Sequence, residues 1–290
     1  MANEPGWANR PGGRPLAILL GAADRPRILE EINRLLPEIE KHLEVVHISL
    51  DSTDELNVEA DLVLVFGGDG SMLRAASQMA ARQLPVVGVN LGRLGFLADM
   101  PGDALLTFLP DICAGKCKIV EHLMFRCQVL RDEYVLHDEL GLNETAILAG
   151  PPFSMLYVDL YVDGELATTY SCDGLIISTP VGSTAHSLST GGPILRKNLQ
   201  AFVISPISPH TLTVRPVVDA ADRIYEAVVR EPNETTSVVV DGRTIFRLTE
   251  RDRVQVRRAE PTFKMVEVAG QTYYRTLREK LGWGGNIGDR

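Results

Sequence analysis

Residues 62–75 read LVLVFGGDGSMLRA. An apolar run ends in Gly67-Gly68-Asp69-Gly70, and the chain resumes with helical spacing. Glycines at a strand-to-helix turn let the backbone approach a ligand closely and permit positive φ. The N–H groups opening the following helix point back at the turn, and the two features together suit a phosphate. A carboxylate in that place repels phosphate, so Asp69 needs a separate task. It can accept a proton from an attacking hydroxyl, orient that hydroxyl or help to hold Mg2+. It can also do no more than cap the helix, and GGDG alone does not separate these readings. The lysine-bearing P-loop pattern and GxGxxG are both absent.

Four further stretches carry polar residues in loop-like settings. Asn90-Leu91-Gly92-Arg93-Leu94-Gly95-Phe96-Leu97 follows the next apolar run. Two Gly-rich loops after neighbouring parallel strands mark the rim where α/β sheets bind ligands. Gly67, Gly68, Gly70, Asn90 and Gly92 are therefore candidates for phosphate or ATP contacts. Asn143-Glu144 offers the donor and acceptor pattern of a base or a ribose diol. Asp173–Pro193 runs from an apolar strand into a dense series of Gly, Ser and Thr, which suits a site lined by backbone and hydroxyl donors. Ser183 and His186 raise a hydrolase reading, but no GxSxG elbow is present, and His186 better suits a stacking or hydrogen-bonding wall. Ser205–Pro216, with prolines at 206, 209 and 216, predicts a rigid ordered loop.

These residues need elements to position them. PLAILLG (15–21), EVVHIS (44–49), DLVLVF (61–66) and PVVGVN (85–90) read as strands, separated by helical patterns at 28–43 and 71–83. Pro37 should kink or restart the first helix. Such alternation predicts βαβ units and an open parallel sheet. After Met100-Pro101 comes a short helix at 105–109, and then mainly strands. Asp163-Gly164 and Asp241-Gly242 sit between alternating segments, as two-residue hairpins require. Residues 273–283 look helical again, and the polar N-terminal stretch 1–15 reads as a flexible lead-in.

The chain has 290 residues, 23% of them charged, with a net charge of −9 and a pI near 5.2. That balance argues against a general nucleic-acid or membrane-surface binder. Cys113, Cys117, Cys127 and Cys172 lack the spacing of a zinc site and read as reduced thiols. No residue set is assigned to a metal.

Taken in order, Gly67–Gly70, Asn90–Leu97, Asn143-Glu144, Asp173–Pro193 and Ser205–Pro216 resemble the motif series of NAD kinases. Leu277–Trp283 resembles that family's C-terminal end. GGDG alone also occurs in diacylglycerol and sphingosine kinases and in phosphofructokinases, and Asp173–Pro193 is the decisive member of the set. The resemblance implies a Rossmann-like α/β domain with an open parallel sheet (residues 1–101, with 271–290 returning to it). It also implies a mainly antiparallel β domain that binds NAD (residues 102–270). The implied reaction moves the γ-phosphate of ATP, or of polyphosphate, to the 2′-hydroxyl of the adenosine ribose of NAD, giving NADP. Mg2+ or another divalent cation would accompany ATP. The enzyme would be a cytoplasmic homodimer or homotetramer with no nucleic-acid or membrane partner.

Position by position, the resemblance makes Asp69 the catalytic proton acceptor and Gly70 an adjoining NAD contact. Arg74 falls near the phosphates. Asn143 and Glu144 meet the adenosine half, and Asp173 the nicotinamide side. Thr184, Ala185, His186, Ser187, Leu188 and Ser189 line the NAD pocket. There are departures: His186 stands where an aromatic residue is usual, Arg243 replaces a glutamine-type contact, and Ser154 and Ser171 lack basic side chains that some members carry. A lipid or sphingoid-base kinase and a non-catalytic NAD(P) sensor are the rival readings.

Overall fold

The strand–helix alternation of the first hundred residues folds into a parallel sheet. The computed structural model describes residues 5–9, 13–22, 26–51, 56–92, 95–151, 155–268 and 273–282. The chain divides into two units, Met1–Glu121 with Phe263–Arg290, and His122–Thr262. The first unit opens with a 3-10 turn at Gly6–Asn9. There follow β1 (Leu16–Leu20), α1 (Pro26–His42), β2 (Glu44–Ser49), β3 (Leu62–Phe66), α2 (Asp69–Met79), β4 (Val86–Asn90), β5 (Met100–Pro101), α3 (Gly102–Cys113) and β6 (Lys118–His122). β1 pairs in parallel with β2 and β3, and β4 with β3 and β5. β3 and β4 are buried along their whole length, so they read as unbroken apolar runs.

Several local expectations are corrected. α1 runs unbroken through Pro37. Pro37 and Asn33, whose carbonyl it leaves without an amide partner, both lie on the exposed face, where water can bond the carbonyl. α2 begins at Asp69, inside the glycine turn, and ends at Met79. α3 is longer than 105–109 because Leu105, Leu109 and Ile112 form one buried face. Within the stretch expected to be a flexible lead-in, Trp7 is buried, and its indole Nε1–H donates to the Ile112 carbonyl at 2.9 Å.

The second unit contains β7 (Phe125–Arg131), β8 (Tyr134–Gly141), β9 (Glu144–Leu148), β10 (Leu156–Val162), β11 (Glu165–Cys172), β12 (Gly174–Ser178) and a 3-10 turn at Gly182–Thr184. α4 (His186–Ser189), β13 (Ala201–Ile207), β14 (Val217–Ala220), β15 (Tyr225–Val229), β16 (Ser237–Val240), β17 (Arg243–Arg247) and β18 (Asp252–Arg258) complete it. Two antiparallel six-stranded sheets, ordered β11-β10-β15-β18-β7-β8 and β14-β13-β12-β9-β16-β17, enclose one core. Phe125, Val158 and Tyr225 enter it from one sheet, and Ile177, Phe202 and Ile204 from the other. Asp163-Gly164 and Asp241-Gly242 turn two hairpins with both residues at positive φ. The expected loop at 205–216 begins later, since Ser205, Pro206 and Ile207 extend β13. β14 pairs with β13 only as far as Ile204, so Pro206 lies beyond that pairing, where a missing N–H is tolerated.

The chain then returns to the first unit as β19 (Phe263–Glu267) and α5 (Tyr273–Leu281). β19 pairs in parallel with β4, completing the order β2-β1-β3-β4-β19-β6. Leu277 of α5 is buried, and the Lys280 ammonium lies 5.2 Å from the Phe96 ring centroid. Trp283, Arg93, Leu94 and Ser154 lie outside the described residues. Residues 102–121, expected in the second domain, belong to the first unit because α3 packs against its core and β6 extends its sheet.

Candidate functional site

In the first unit, β3 delivers the chain to Gly67, whose φ of +150° a side chain would strain and whose Cβ would collide with Ser71. Gly68 is the N-cap of α2 and makes no side-chain capping bond, and Asp69 is the first helical residue. Its carboxylate does not cap the helix. It crosses to the next loop, where it accepts hydrogen bonds from the backbone N–H groups of Phe96 (2.9 Å), Leu97 (2.8 Å) and Ala98 (3.2 Å). Three amide donors fix an anion in one orientation. Gly70 is exposed, with open space where a Cβ would lie, and Arg74 sits one turn further along α2.

The loop after β4 is folded by Asn90. Its Nδ2 donates to the Ala98 carbonyl (2.8 Å), and its Oδ1 accepts from the Gly92 N–H (2.7 Å). The carboxamide of Asn90 therefore ties the two ends of the loop, at Gly92 and Ala98. Glycine at 95 is required by packing, since any Cβ there would overlap Asp69 Oδ1.

In the second unit, Leu142-Asn143-Glu144 enters β9 through a turn held from two sides. Asp241 accepts the N–H groups of Leu142 (2.7 Å), Asn143 (2.8 Å) and Glu144 (3.1 Å). On the other side Thr179 donates its N–H to the Asn143 carbonyl (2.8 Å) and its hydroxyl to the Leu142 carbonyl (2.6 Å). Glu144 is 8 % exposed, and its Oε2 has no hydrogen-bond partner. Burial, reinforced by the charge of Asp241, pushes its carboxyl up to about 8, against the pull of the His186 backbone N–H.

The hydroxyl-rich stretch differs from its sequence reading. Many of its hydroxyls staple the loop from within. Ser183 is fully buried, donates to the Pro180 carbonyl (2.7 Å) and accepts the Leu195 N–H (3.0 Å). Ser187 is fully buried against the Ser205 hydroxyl (3.2 Å), and Thr184 donates to the Val181 carbonyl (3.2 Å). Ser183 is thus no nucleophile, and the hydrolase reading falls. His186 and Ser189 are exposed on α4, with Ala185 and Leu188 half-buried beside them. Asp173 is half-exposed with the His210 imidazole 3.5 Å away. Arg243 is engaged with Glu139 at 2.6 Å.

Two residues escaped the sequence reading. Asp241 read as half of a hairpin turn and as the start of the Asp241-Gly242-Arg243 triplet, with no role of its own, and Gly95 only as part of a Gly-rich loop. A positive-φ turn residue that is Asp rather than Asn was the available signal for the first. Among the described residues no three His, Cys, Asp or Glu side chains converge to hold a metal ion. No helix among them is long and apolar enough to cross a membrane.

Comparison with known proteins bears on both units. Residues 30–117 match the ATP-NAD kinase N-terminal domain and residues 142–268 the ATP-NAD kinase C-terminal domain. An NAD kinase of Rhodopirellula baltica is 54% identical over 277 residues, covering 95% of this chain and 89% of that one. An NAD kinase of Nitrosomonas eutropha is 39% identical, covering 79% and 77%. The fold is similar to that of yeast NADH kinase complexed with NADH, with a TM-score of 0.80 at 21% identity over 96% of this chain and 90% of that one. It is also similar to an NAD kinase from Archaeoglobus fulgidus in complex with ATP, with a TM-score of 0.68 at 26% identity over 94% and 99%. Matched in both halves of its sequence and across its fold, the chain belongs to the NAD kinase family.

Proposed function

We infer that this chain phosphorylates NAD to NADP, with ATP as donor and the adenosine 2′-hydroxyl as acceptor. The observation that carries the reading is the Asp69 carboxylate, pinned by three amides at the tip of a glycine turn. Phosphoryl transfer asks for positioning and charge neutralisation more than for covalent chemistry. A fixed carboxylate beside an open Gly70 suits the orientation of an incoming hydroxyl and acceptance of its proton as the new P–O bond forms. The backbone at Gly67, Gly68, Gly70 and Gly92 would approach the phosphates, with Asn90 shaping that loop and Arg74 contributing charge.

Asn143 and Glu144 would meet the adenosine half and Asp173 the nicotinamide half. Ala185, His186, Leu188 and Ser189 would line the dinucleotide pocket, while Thr184 and Ser187 hold its wall. Arg243, paired with Glu139, would add positive charge nearby. Mg2+ or another divalent cation would arrive on the ATP phosphates. That ion would neutralise phosphate charge. Polyphosphate stands as an alternative donor. We place the enzyme in the cytoplasm, in keeping with its four free thiols.

The comparisons lend no support to a lipid kinase or a non-catalytic sensor. Incubation with ATP, Mg2+ and either NAD or a sphingoid base tests the point. NADP, read by an NADP-specific dehydrogenase, is expected; NAD left unchanged while the lipid is phosphorylated would overturn the reading.

We also propose that the chain self-associates as a homodimer or homotetramer. An apolar cleft of about 370 Å3, lined by Leu160, Val162, Tyr170, Ile204 and Val217, lies beside the edge strands β11 and β14. Leu212 is 91 % exposed, and Val217 and Val218 are nearly half exposed.

A further inference from the structure

Asp241 and Glu144 form a carboxylate pair with unequal surroundings. The Asp241 N–H donates to the Glu144 carbonyl (3.0 Å), while the Glu144 N–H donates to Asp241 Oδ1 (3.1 Å). Asp241 receives two more amides, from Leu142 and Asn143. A carboxyl that accepts three N–H bonds favours the charged form. Glu144 is more than nine-tenths buried and has one oxygen with no partner at all. Two adjacent enclosed carboxylates do not both ionise readily, so one proton stays with the pair. The asymmetry of donors puts that proton on Glu144.

The charged and titratable groups around the pair come from several elements. Asp241 acts on Glu144 from the β16–β17 turn. Arg243 of β17 acts on Asp241 and is itself paired with Glu139 of β8, which also lies 3.5 Å from His137. α4 contributes the backbone N–H of His186. The enclosed position of Asp241 raises its own carboxyl, with the three amides and Arg243 pulling the other way.

We propose that Asp241 is a positioning residue for NAD. Anchored on three amides, it sets the Asn143-Glu144 turn and keeps Glu144 as a neutral acid, so that Glu144 meets the dinucleotide as a hydrogen-bond donor to an acceptor atom. This deepens the NAD kinase reading and rests on it. An ionised Glu144 could only accept, and would recognise hydroxyl or amino donors instead. The neutral form explains how a carboxyl with a bare oxygen survives enclosure, because the bare atom is the O–H that awaits the ligand.

The test is the NAD KM as a function of pH, with ATP saturating, for the wild type, Glu144→Gln and Asp241→Asn. Wild-type KM should rise about 10-fold between pH 7 and 9 as Glu144 loses its proton near 8, with kcat changing far less. Glu144→Gln keeps a neutral donor group but cannot ionise, so its KM should start several-fold higher and then stay level. Asp241→Asn should raise KM at pH 7 by about 5- to 10-fold, with the loss falling on KM rather than kcat. It should also move the break to lower pH, because the like charge is gone. A purely structural Asp241 would not move that break. If Asp241→Asn fails to fold by circular dichroism, the wild-type and Glu144→Gln profiles still decide the state of Glu144, and Asp241→Ser, which keeps an acceptor for the amides but no charge, tests Asp241 by the same shift of the break. A wild-type KM that is level or falls from pH 7 to 9, or a rise that persists in Glu144→Gln, overturns the proposal. Absence of NADP formation by the wild type at pH 7 would instead overturn the parent reading.

Discussion

The Oδ1 atom of Asp69 occupies the space that a Cβ on residue 95 would need. Asp69 opens α2 and Gly95 lies on the loop after β4, and the fit between them lets the amides of residues 96–98 close on the carboxylate. Gly95→Ala should therefore displace Asp69 without unfolding the first unit, lowering kcat about 10- to 100-fold. Asp69→Asn keeps the shape but turns an acceptor into a partial donor facing three N–H groups. Its kcat should fall at least ~100-fold, with the NAD KM changing little. Steady-state kinetics check both, and near-full kcat in either variant would remove Asp69 from the chemistry.

Ser183 is an internal staple. Ser183→Ala removes the hydroxyl that donates to the Pro180 carbonyl and accepts the Leu195 N–H, and should lower stability by about 1–2 kcal/mol. Thermal melts measure the loss. A stability equal to the wild type would mean that the loop relaxes around the missing hydroxyl.

Acid should loosen the second unit through Asp252. This carboxylate is 2 % exposed and accepts from Arg131 Nε (2.8 Å) and from the Thr249 N–H (2.7 Å). Burial alone would raise its titration point, but the donors on Arg131 and Thr249 outweigh it and hold the group below the ordinary range. The folded value lies below the unfolded one. The stabilisation is therefore complete above pH ~4 and lost as pH falls through the folded value. Asp252→Asn should cost about 2–4 kcal/mol at pH 7 and much less at pH 3. Urea titrations at the two pH values make the comparison, and an equal cost at both would sink the ion-pair account.

Leu212 is the most exposed large apolar side chain among the described residues. If it covers a partner copy, Leu212→Asp should shift the mass measured by light scattering toward the monomer, while the circular dichroism of the chain stays the same. A mass unchanged from the wild type would move the interface elsewhere.

Much of this was legible in the sequence wherever burial and period coincide. β3 and β4, enclosed on both faces, announce themselves as apolar runs, and the Asp-Gly hairpins follow from turn chemistry. β8 escaped because it is an edge strand with mostly exposed side chains. The strand β13 was obscured by Pro206, which is tolerated only where its neighbour stops pairing. The position of Asp69 at the turn was readable, but its three amide partners were not, because they come from a loop 27 to 29 residues away. The hydroxyls of Asp173–Pro193 misled for a related reason: composition cannot tell a hydroxyl that faces a ligand from one that faces its own backbone. Asp241 lies about a hundred residues from the turn it folds, beyond the reach of any local pattern.

Trp7 closes on the last turn of α3. The chain has two tryptophans, Trp7 and Trp283, and both fall in the sequence of the first unit. The 122–262 unit has tyrosines but no indole. The emission of a Trp283→Phe variant therefore follows the first unit through Trp7, while the infrared amide I band of antiparallel sheet follows the second. Melting curves from the two signals separate or coincide according to whether the unit that carries Asp69 and the unit that carries Glu144 unfold as one cooperative body.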